Sequence, residues 1–225
     1  MSGGAQRTVL VTGGTTRIGL AISNRLRKAG WRVLASSHRA ATGADFVADL
    51  SGPMGAARLY AAVLAALGGN PPDALVNNAA LFVGDDAAVE AVNLAAPQKL
   101  TAMMAGRETG RGAVVNILDA AVLGASGVSS PAAGSCASPR YMATKRGLLD
   151  YTAKSAAMFA ATLRVNAVAP GPVLAPEGVR EKSAETLLGR PRLEDVADAV
   201  AFLLDAESTT GAVIPVDGGL CLARE

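Results

Sequence analysis

The sequence predicts an α/β fold in which helices cover both faces of a single, doubly wound parallel sheet of about seven strands. Short aliphatic runs alternate with helical patterns along the whole chain, and the connections between them are short. Half of the residues are apolar, and Ala and Gly are abundant, which suits helices packed closely on a sheet. With 225 residues, the chain is most economically one domain spanning residues 1–225.

The first strand and helix establish the alternation. Val9–Val11 is predicted as a buried strand, and an apolar-periodic helix is predicted from Ile18 to about Ala29. Further strands are predicted at Trp31–Ser36, Ala44–Val47, Ala74–Asn77, Ala113–Leu118, Arg164–Val168 and Ala212–Val216. Further helices are predicted at Ala56–Leu67, at Ala87–Met104 with a break near Pro97, at Tyr141–Leu163 and at Leu193–Leu204. Sheets of this kind bind their ligands at the carboxyl ends of the strands.

Charge and cysteine usage exclude several functional classes. The net charge is only +2 and no basic run occurs, so neither nucleic acid nor an anionic membrane is an expected partner. Apolar stretches end before the roughly 18 residues of a membrane span, and Met1–Thr8 lacks the apolar segment of a signal peptide. We therefore expect a cytoplasmic protein in which Cys136 and Cys221 remain reduced thiols. Because His38 is the single histidine, neither a Ser-His-Asp triad nor a histidine-rich metal site is expected.

The segment Thr12–Gly19 joins the first strand to the first helix. Free backbone N–H groups and the helix dipole converge in such a turn, which makes it an anion site. Gly13 permits the tight turn, and Gly19 lets the helix pack close to the sheet. The spacing is Thr-Gly-x-x-x-Arg-x-Gly rather than the GxGxxG of other dinucleotide folds, so a plain glycine-rich connection is the alternative. The expected dinucleotide contacts in this turn are Gly13, Thr16, Arg17, Ile18 and Gly19.

A basic pair, His38-Arg39, follows the second strand. In NAD-binding folds an acidic residue at this place binds the ribose 2′-hydroxyl, whereas Arg39 can bind a 2′-phosphate through a forked, charge-assisted contact. This pair predicts NADP(H) as the cofactor, with Arg17 as a second positive charge. The alternative is that both arginines are solvated surface residues.

Two other strand ends supply further candidate cofactor contacts. Asp49, beyond the third strand, can accept a hydrogen bond from an adenine amino group, or alternatively cap the following helix. Its neighbour Leu50 is included in the expected cofactor site. Small residues after the fourth strand let the backbone approach a ribose, and the expected contacts there are Asn78, Ala79 and Ala80.

Tyr141 and Lys145 place a phenol and an ammonium group one helical turn apart on one helix face. A nearby ammonium favours the phenolate, so we expect Lys145 to lower the pKa of Tyr141 from its usual value of about 10. A tyrosine tuned in this way can protonate a developing alkoxide during hydride delivery. The YxxxK pattern alone is common on exposed helix surfaces.

In combination these motifs resemble the short-chain dehydrogenase/reductase family over essentially the whole chain. The motifs follow the family's order: Thr12–Gly19, Asn77–Ala79, Asn93 ahead of an Ala-Pro pair, Tyr141 with Lys145, Arg164–Pro172, and Val216–Gly219 after Gly211. The resemblance implies that Tyr141 is the catalytic acid/base, and that Lys145 lowers its pKa and holds the ribose. It also implies that Asn93 supports a proton-relay water, that Pro170 and Gly171 lie beside the nicotinamide, and that the protein is a homotetramer.

Two departures from the common family pattern resemble pteridine reductases and dihydromonapterin reductases. Arg17 replaces the middle glycine of the first turn, and Asp119 follows the fifth strand where most members have a serine. The resemblance implies an NADPH-dependent reductase of a pteridine-type substrate, in which Asp119 works with Tyr141 to protonate or orient the pterin ring. Phe82 can stack on a flat heterocycle, or serve as a core or lid aromatic.

Spacing leaves the third catalytic position open between two interpretations. Asp119 precedes Tyr141 by 22 residues, which is longer than the subgroup's pattern, and the extra material is Val122–Pro139. This insertion is either a surface loop that leaves Asp119 in place, or a change that lets Ser129 or Ser130 serve instead. Two other functions stay open: an NADP-dependent reductase of small carbonyl compounds, and a catalytically silent NADP-binding protein.

Overall fold

One parallel sheet forms the centre of the protein. The structure is a computed structural model that describes residues 6–40, 44–108, 110–124, 138–173 and 186–222. The strands are β1 (Thr8–Val11), β2 (Arg32–Ser37), β3 (Phe46–Val47), β4 (Ala74–Asn77), β5 (Gly112–Ile117), β6 (Leu163–Pro170) and β7 (Val213–Val216). Their order is β3-β2-β1-β4-β5-β6-β7, and every neighbouring pair is parallel. The predicted sheet is confirmed.

Helices connect the strands on both faces of the sheet. Within the described residues they are α1 (Arg17–Lys28), α2 (Gly55–Ala66), α3 (Asp86–Glu90), α4 (Ala96–Ala105), α5 (Pro139–Met158) and α6 (Leu193–Asp205). In β1, Val9 and Val11 pack in a cluster with α1 and α6, whereas Leu10 packs in a second cluster with α2 and α4. This alternation is the strand period of two, and it buries both faces of the sheet. The core thereby holds the carboxyl ends of the strands in a fixed arrangement.

The end of α5 differs from its prediction. The helix predicted to reach Leu163 ends at Met158. The N–H groups of Thr162 and Leu163 both bond to the Phe159 carbonyl, which closes the helix in a tight turn. Leu163 then begins β6 and pairs with Gly112 of β5. Sheet pairing therefore takes residues that the helical pattern alone assigned to the helix.

Two other irregular places concern β3 and the helix near Pro97. The third strand is shorter than predicted, because the Asp45 carboxylate instead of a backbone carbonyl accepts from the Ala35 N–H, at 2.8 Å. The irregularity predicted near Pro97 lies just before it, as a π-helical turn over Ala91–Ala95. Pro97 itself is the second residue of α4, and the backbone stays helical through Ala95 and Ala96, so the π-helical turn lies where the proline lacks an N–H to continue the hydrogen-bond ladder.

Candidate active site

The predicted site residues follow the carboxyl ends of neighbouring strands. Because all seven strands are parallel, these ends lie at one edge of the sheet, and the strand order reverses between β1 and β4. A crevice at such a reversal is where α/β sheets bind their ligands. The residues that follow these strands are Thr12 after β1, His38 after β2, Asn78 after β4, Leu118 after β5, Gly171 after β6 and Asp217 after β7.

The glycine turn after β1 fits a diphosphate. Gly13 has a φ of +62°, in the left-handed region that favours glycine. A side chain on Gly19 would collide with the Gly13 carbonyl oxygen and the Asn78 amide. Thr16 caps α1 without a side-chain hydrogen bond, and the first turn of α1 carries no acidic residue. The first N–H groups of α1 therefore have no side-chain cap, an arrangement that suits an anion.

Thr12, which was not among the predicted site residues, locks this turn to the end of β4. Its hydroxyl oxygen accepts from the N–H groups of Asn78 and Ala79 at 3.0 and 3.1 Å. The Asn78 amide donates in return to the carbonyls of Thr12 and Gly13 at 2.9 and 3.1 Å. Ala80, beyond these contacts, is exposed. The sequence signal for this role was the position of Thr12 directly before Gly13, because a hydroxyl there can bond the backbone that follows the neighbouring strand β4.

The predicted cationic residues are exposed and locally constrained. Arg17 begins α1 with a φ of +49°, and within the described residues it alone among non-glycine residues has a positive φ. Such a conformation is strained and is commonly maintained at functional sites. The Arg39 guanidinium donates to the His38 ring at 3.0 Å, while its backbone N–H donates to the Ser37 hydroxyl at 3.1 Å. Both arginines are exposed, as a 2′-phosphate site requires.

Asp49 and Leu50 take different environments. The Asp49 carboxylate accepts from the hydroxyl and the N–H of Ser51, and these two bonds hold its pKa below the usual range. The alternative role as a helix cap is wrong, since Met54 stands at the cap of α2. Leu50 packs its side chain in the core with Leu34, which leaves its backbone as the part that can meet a cofactor.

Asp119 and Tyr141 meet despite the long segment between them. The Tyr141 hydroxyl donates to Asp119 Oδ2 at 3.1 Å, and the Ala121 N–H donates to Asp119 Oδ1 at 2.9 Å. The same carboxylate thus caps the 3₁₀ turn Ala120–Leu123 and binds the phenol. Ser129 and Ser130, the other candidates for this position, lie outside the described residues.

The phenol of Tyr141 is held in its protonated form. Its pKa lies well above the usual value, because the ring is buried and because the Asp119 carboxylate both repels a phenolate and accepts the hydroxyl proton. The prediction that Lys145 lowers the pKa of Tyr141 is therefore wrong for this structure, in which the pKa is raised. In it, burial and Asp119 outweigh the lysine.

Lys145 lies buried beneath the tyrosine. Its ammonium is 5.6 Å from the centre of the Tyr141 ring and donates to the Ile117 carbonyl at 2.8 Å. Burial lowers the pKa of Lys145 to about 8, and the nearby Asp119 charge partly opposes this shift. The lysine charge is therefore close to the phenol without touching its oxygen.

Asn93 sits in the π-helical turn and binds the loop after β4. Its amide donates to the Leu81 carbonyl at 2.9 Å, and its oxygen accepts from the Leu81 N–H at 2.8 Å. It also donates to the Thr144 hydroxyl, at 3.3 Å. Asn93, for which the family resemblance implied a proton-relay role, thus holds the backbone of Leu81 next to Phe82. The Phe82 ring stacks on Tyr141 with centroids 4.2 Å apart and an interplanar angle of 20°.

The end of β6 packs against the chain after β7. Pro170 pairs with Val216, and the Gly171 N–H donates to the Val216 carbonyl at 2.9 Å. A Cβ on Gly171 would press on the Asp217 backbone at 2.8 Å, so only glycine fits there without a shift. The expected contact of Pro170 and Gly171 with a nicotinamide stays a prediction.

Two further residues of the site were missed from the sequence. Ser138 caps α5 by accepting from the Tyr141 N–H at 3.1 Å, and Pro139 follows it. A serine before a proline is a helix-start signal that was available. Cys221 donates its thiol to the Ala120 carbonyl at 3.2 Å, a contact across 101 residues that has no local signal.

Over the residues that the structure describes, no helix has the length and apolar character needed to cross a membrane. Within the same ranges, no group of three or more His, Cys, Asp or Glu side chains is placed to hold a metal ion.

The fold and the Tyr141–Lys145 pair define an oxidoreductase, and comparison with known proteins names the family. The family model described as Enoyl-(Acyl carrier protein) reductase matches residues 14–221. The chain therefore belongs to the short-chain dehydrogenase/reductase family, as its motifs implied. This assignment disfavours the alternative of a catalytically silent binding protein.

Individual relatives differ in the reaction that their names describe. The chain is 35% identical over 244 aligned residues to L-xylulose reductase of Bos taurus, covering 96% of each protein. It is 42% identical over 121 residues to cis-4-hydroxycyclohexanecarboxylate dehydrogenase of Sinomonas cyclohexanicum, but this match spans 49% of the chain and 45% of that relative. Among solved structures, FolM alternative dihydrofolate reductase 1 from Brucella canis, complexed with NADP, superposes with a TM-score of 0.81. That match is 31% identical and covers 97% of this chain and 96% of that one.

Proposed function

We propose that this protein is an NADPH-dependent reductase of a pteridine-type substrate, such as a dihydropterin or a dihydrofolate-like molecule. The observation that carries the proposal is a hydrogen bond: the Tyr141 hydroxyl donates to Oδ2 of the Asp119 carboxylate, with 3.1 Å between the two oxygens. A simple carbonyl offers nothing for such a carboxylate to bind, whereas a pterin has ring N–H donors and a C=N bond to protonate. The similarity to FolM of Brucella canis supports the same substrate class.

Residues along the sheet edge would hold the cofactor. The N–H groups between Gly13 and Gly19 suit the diphosphate, and the charges of Arg17 and Arg39 suit the 2′-phosphate. The residues expected near the adenine and the two riboses are Asp49, Leu50, Asn78, Ala79, Ala80 and Lys145, with Pro170 and Gly171 beside the nicotinamide. NADPH, when bound, supplies the hydride that is added to the C=N or C=C bond of the substrate.

Tyr141 is the proton donor in this proposal. Because burial and Asp119 keep the phenol protonated, it holds a proton ready for the substrate nitrogen. Asp119 orients the hydroxyl through Oδ2 and can accept an N–H of the pterin ring. Once the proton has left Tyr141, the Lys145 ammonium 5.6 Å from the ring stabilises the phenolate.

Phe82 provides an aromatic surface for a flat substrate. One face of its ring stacks on Tyr141, and 45% of the residue is exposed. Aromatic rings favour stacked partners, so the exposed face suits a heterocycle more than an aliphatic ketone. Asn93 would act here by binding the backbone of Leu81, which fixes the position of the adjacent Phe82.

The test of this function is the variant Asp119→Asn. We expect the turnover of a dihydropterin to fall roughly a hundredfold or more, because the carboxylate that orients the proton donor and accepts the pterin N–H is lost, while NADPH binding is unchanged. Asp150→Asn, which alters an exposed carboxylate on α5, is the matched control and should leave turnover unaffected. If Asp119→Asn retains full turnover while Ser129→Ala or Ser130→Ala abolishes it, the pteridine proposal fails.

A second candidate function is an NADP-dependent reductase of small carbonyl compounds. The similarity to L-xylulose reductase of Bos taurus over 96% of each protein favours it. Measuring kcat/KM for a dihydropterin against a panel of ketones and sugars distinguishes the two candidates. Asp119→Ser, which restores the common family residue, is expected to shift the preference toward ketones.

We also propose a homotetramer, as the family resemblance implies. Helix α5 is rich in Ala and presents Met158 with 71% of its surface exposed, so it can supply one of the two interfaces. Sedimentation at micromolar concentration should show the tetramer, and a monomer alone would refute it.

A further inference from the structure

The chain after β7 forms a compact turn over residues 217–222, called here the C-terminal turn. Asp217 is buried at its start, and its carboxylate accepts from the N–H groups of Gly219 and Cys221 at 2.9 and 2.8 Å. Burial alone would raise the pKa of Asp217, but the neighbouring Cys221 side chain and the N–H groups of Cys221 and Gly219 hold it below its usual range. Leu188 donates to the Gly218 carbonyl at 2.9 Å and anchors the other side of the turn.

The Cys221 thiol reaches from this turn to the site. It donates to the Ala120 carbonyl at 3.2 Å. That carbonyl belongs to the same peptide unit as the Ala121 N–H, which donates to Asp119 Oδ1 at 2.9 Å. A trans peptide is planar, with its C=O and N–H pointing in opposite directions. The thiol and the Asp119 carboxylate therefore hold the same rigid plane from opposite sides.

We propose that Cys221 is a positioning residue for Asp119, acting through the Ala120–Ala121 peptide. Rotation of this peptide would turn the Ala121 N–H away from Oδ1 and release the carboxylate from Tyr141. A hydrogen bond at the carbonyl also polarises the peptide and strengthens the bond that its N–H makes. The inference rests on the proposed role of Asp119 in proton transfer.

The position of the Cys221 side chain does not depend on its hydrogen bond to the Ala120 carbonyl. Backbone N–H groups of the turn bind Asp217, and Leu188 binds Gly218, whether or not a sulfur is present. Removing the thiol also removes the Cys221 side chain's effect on Asp217, but both backbone N–H bonds to Asp217 remain. We therefore expect the C-terminal turn to stay in place while the Ala120 carbonyl is freed. This separation makes substitution at Cys221 an informative test.

The experiment compares Cys221→Ala and Cys221→Ser with the wild type, using a dihydropterin and NADPH. Loss of one modest hydrogen bond should lower kcat roughly three- to tenfold in Cys221→Ala, with KM for NADPH unchanged. The hydroxyl of Cys221→Ser should restore at least part of the rate. Because Asp119 raises the pKa of Tyr141, its release should also move the basic limb of the kcat profile to lower pH in Cys221→Ala.

A double variant separates this inference from the proposed function. In the Asp119→Asn background, Cys221→Ala should produce no further loss and no further shift of the pH profile. An equal loss in both backgrounds, or an unchanged rate in Cys221→Ala, overturns the positioning role. Failure of the pteridine proposal itself is read separately, from the single variant Asp119→Asn.

Discussion

The two halves of the site are built from different materials. On the proposed cofactor side, the turn Thr12–Gly19 and the pair His38-Arg39 offer backbone N–H groups and exposed charges. On the catalytic side, Tyr141 and Lys145 are only 3% and 2% exposed, and Asp119 is bonded to two partners. Exposed charges act in a high dielectric and adjust affinity, whereas buried groups interact strongly and have large pKa shifts. Substitutions on the catalytic side should therefore have the larger effects.

The largest effect is expected at Tyr141. Tyr141→Phe keeps the ring that stacks on Phe82 but removes the proton donor, so turnover should fall on the order of a thousandfold. NADPH binding, measured by fluorescence titration, should remain. Tyr151→Phe removes the same group from the same helix, where the hydroxyl bonds the Gln98 carbonyl, and serves as the control. Comparable losses of turnover in both variants would show that the loss in Tyr141→Phe does not come from removal of the proton donor.

A pH dependence of stability follows from buried Lys145. Its pKa is about 8 when folded and 10.5 when solvated, so between these values the unfolded chain holds a proton that the folded chain has lost. Stability rises with pH wherever the unfolded state binds more protons, so this contribution increases from pH 8 toward 10.5. Its full size is on the order of 3 kcal/mol.

Lys145→Met supplies the reference for that measurement, since it keeps the volume without the titration. Denaturant unfolding at pH 7 to 10 should show the wild type gaining stability relative to this variant. A difference that does not change with pH would mean that the lysine is solvated.

On the cofactor side, the strongest effect is expected from Gly19→Ala. The added methyl group meets the Gly13 carbonyl, so the turn must shift, and NADPH affinity should fall on the order of a hundredfold. Gly106→Ala, whose Cβ would lie 3.4 Å from the nearest atom, tests the same change without the collision. Calorimetric Kd values for both variants decide the point.

The smallest of these effects is selective. Arg39→Ala should weaken NADPH roughly tenfold to a hundredfold, by loss of a charge-assisted contact, and should change NADH binding little. The control is Arg32→Ala, which removes an arginine at the amino end of β2, the strand that precedes Arg39. Equal wild-type affinity for the two cofactors would contradict the 2′-phosphate role of Arg39.

Local patterns predicted the parts of the molecule that local physics determines. Strands such as the one containing Val9–Val11 are predicted by their apolar runs. Glycine is required at position 19 because no side chain fits beside the Gly13 carbonyl. The carboxyl-edge rule then brought residues from five strand ends into one expected site. Boundaries such as the end of α5 were less certain, because pairing of Leu163 with β5 competes with the helix.

What the sequence left undecided depends on contacts across long separations. Spacing alone favoured neither Asp119 nor a serine, because the path of the 21 residues between Asp119 and Tyr141 was unknown. The contact between these two side chains is formed only by the tertiary fold. The direction of the Tyr141 pKa shift also depended on that meeting. Spacing identified the lysine, but the competing effects of burial and of the carboxylate become visible only in three dimensions.

The left-handed backbone of Arg17 has an evolutionary consequence. An L-residue other than glycine at a φ of +49° costs roughly 1 kcal/mol or more, which glycine avoids. Under the proposed role, the same side chain contributes charge to the NADPH site. A lineage selected only for heat tolerance should thus drift to glycine at position 17, whereas one selected for turnover at scarce NADPH should retain arginine.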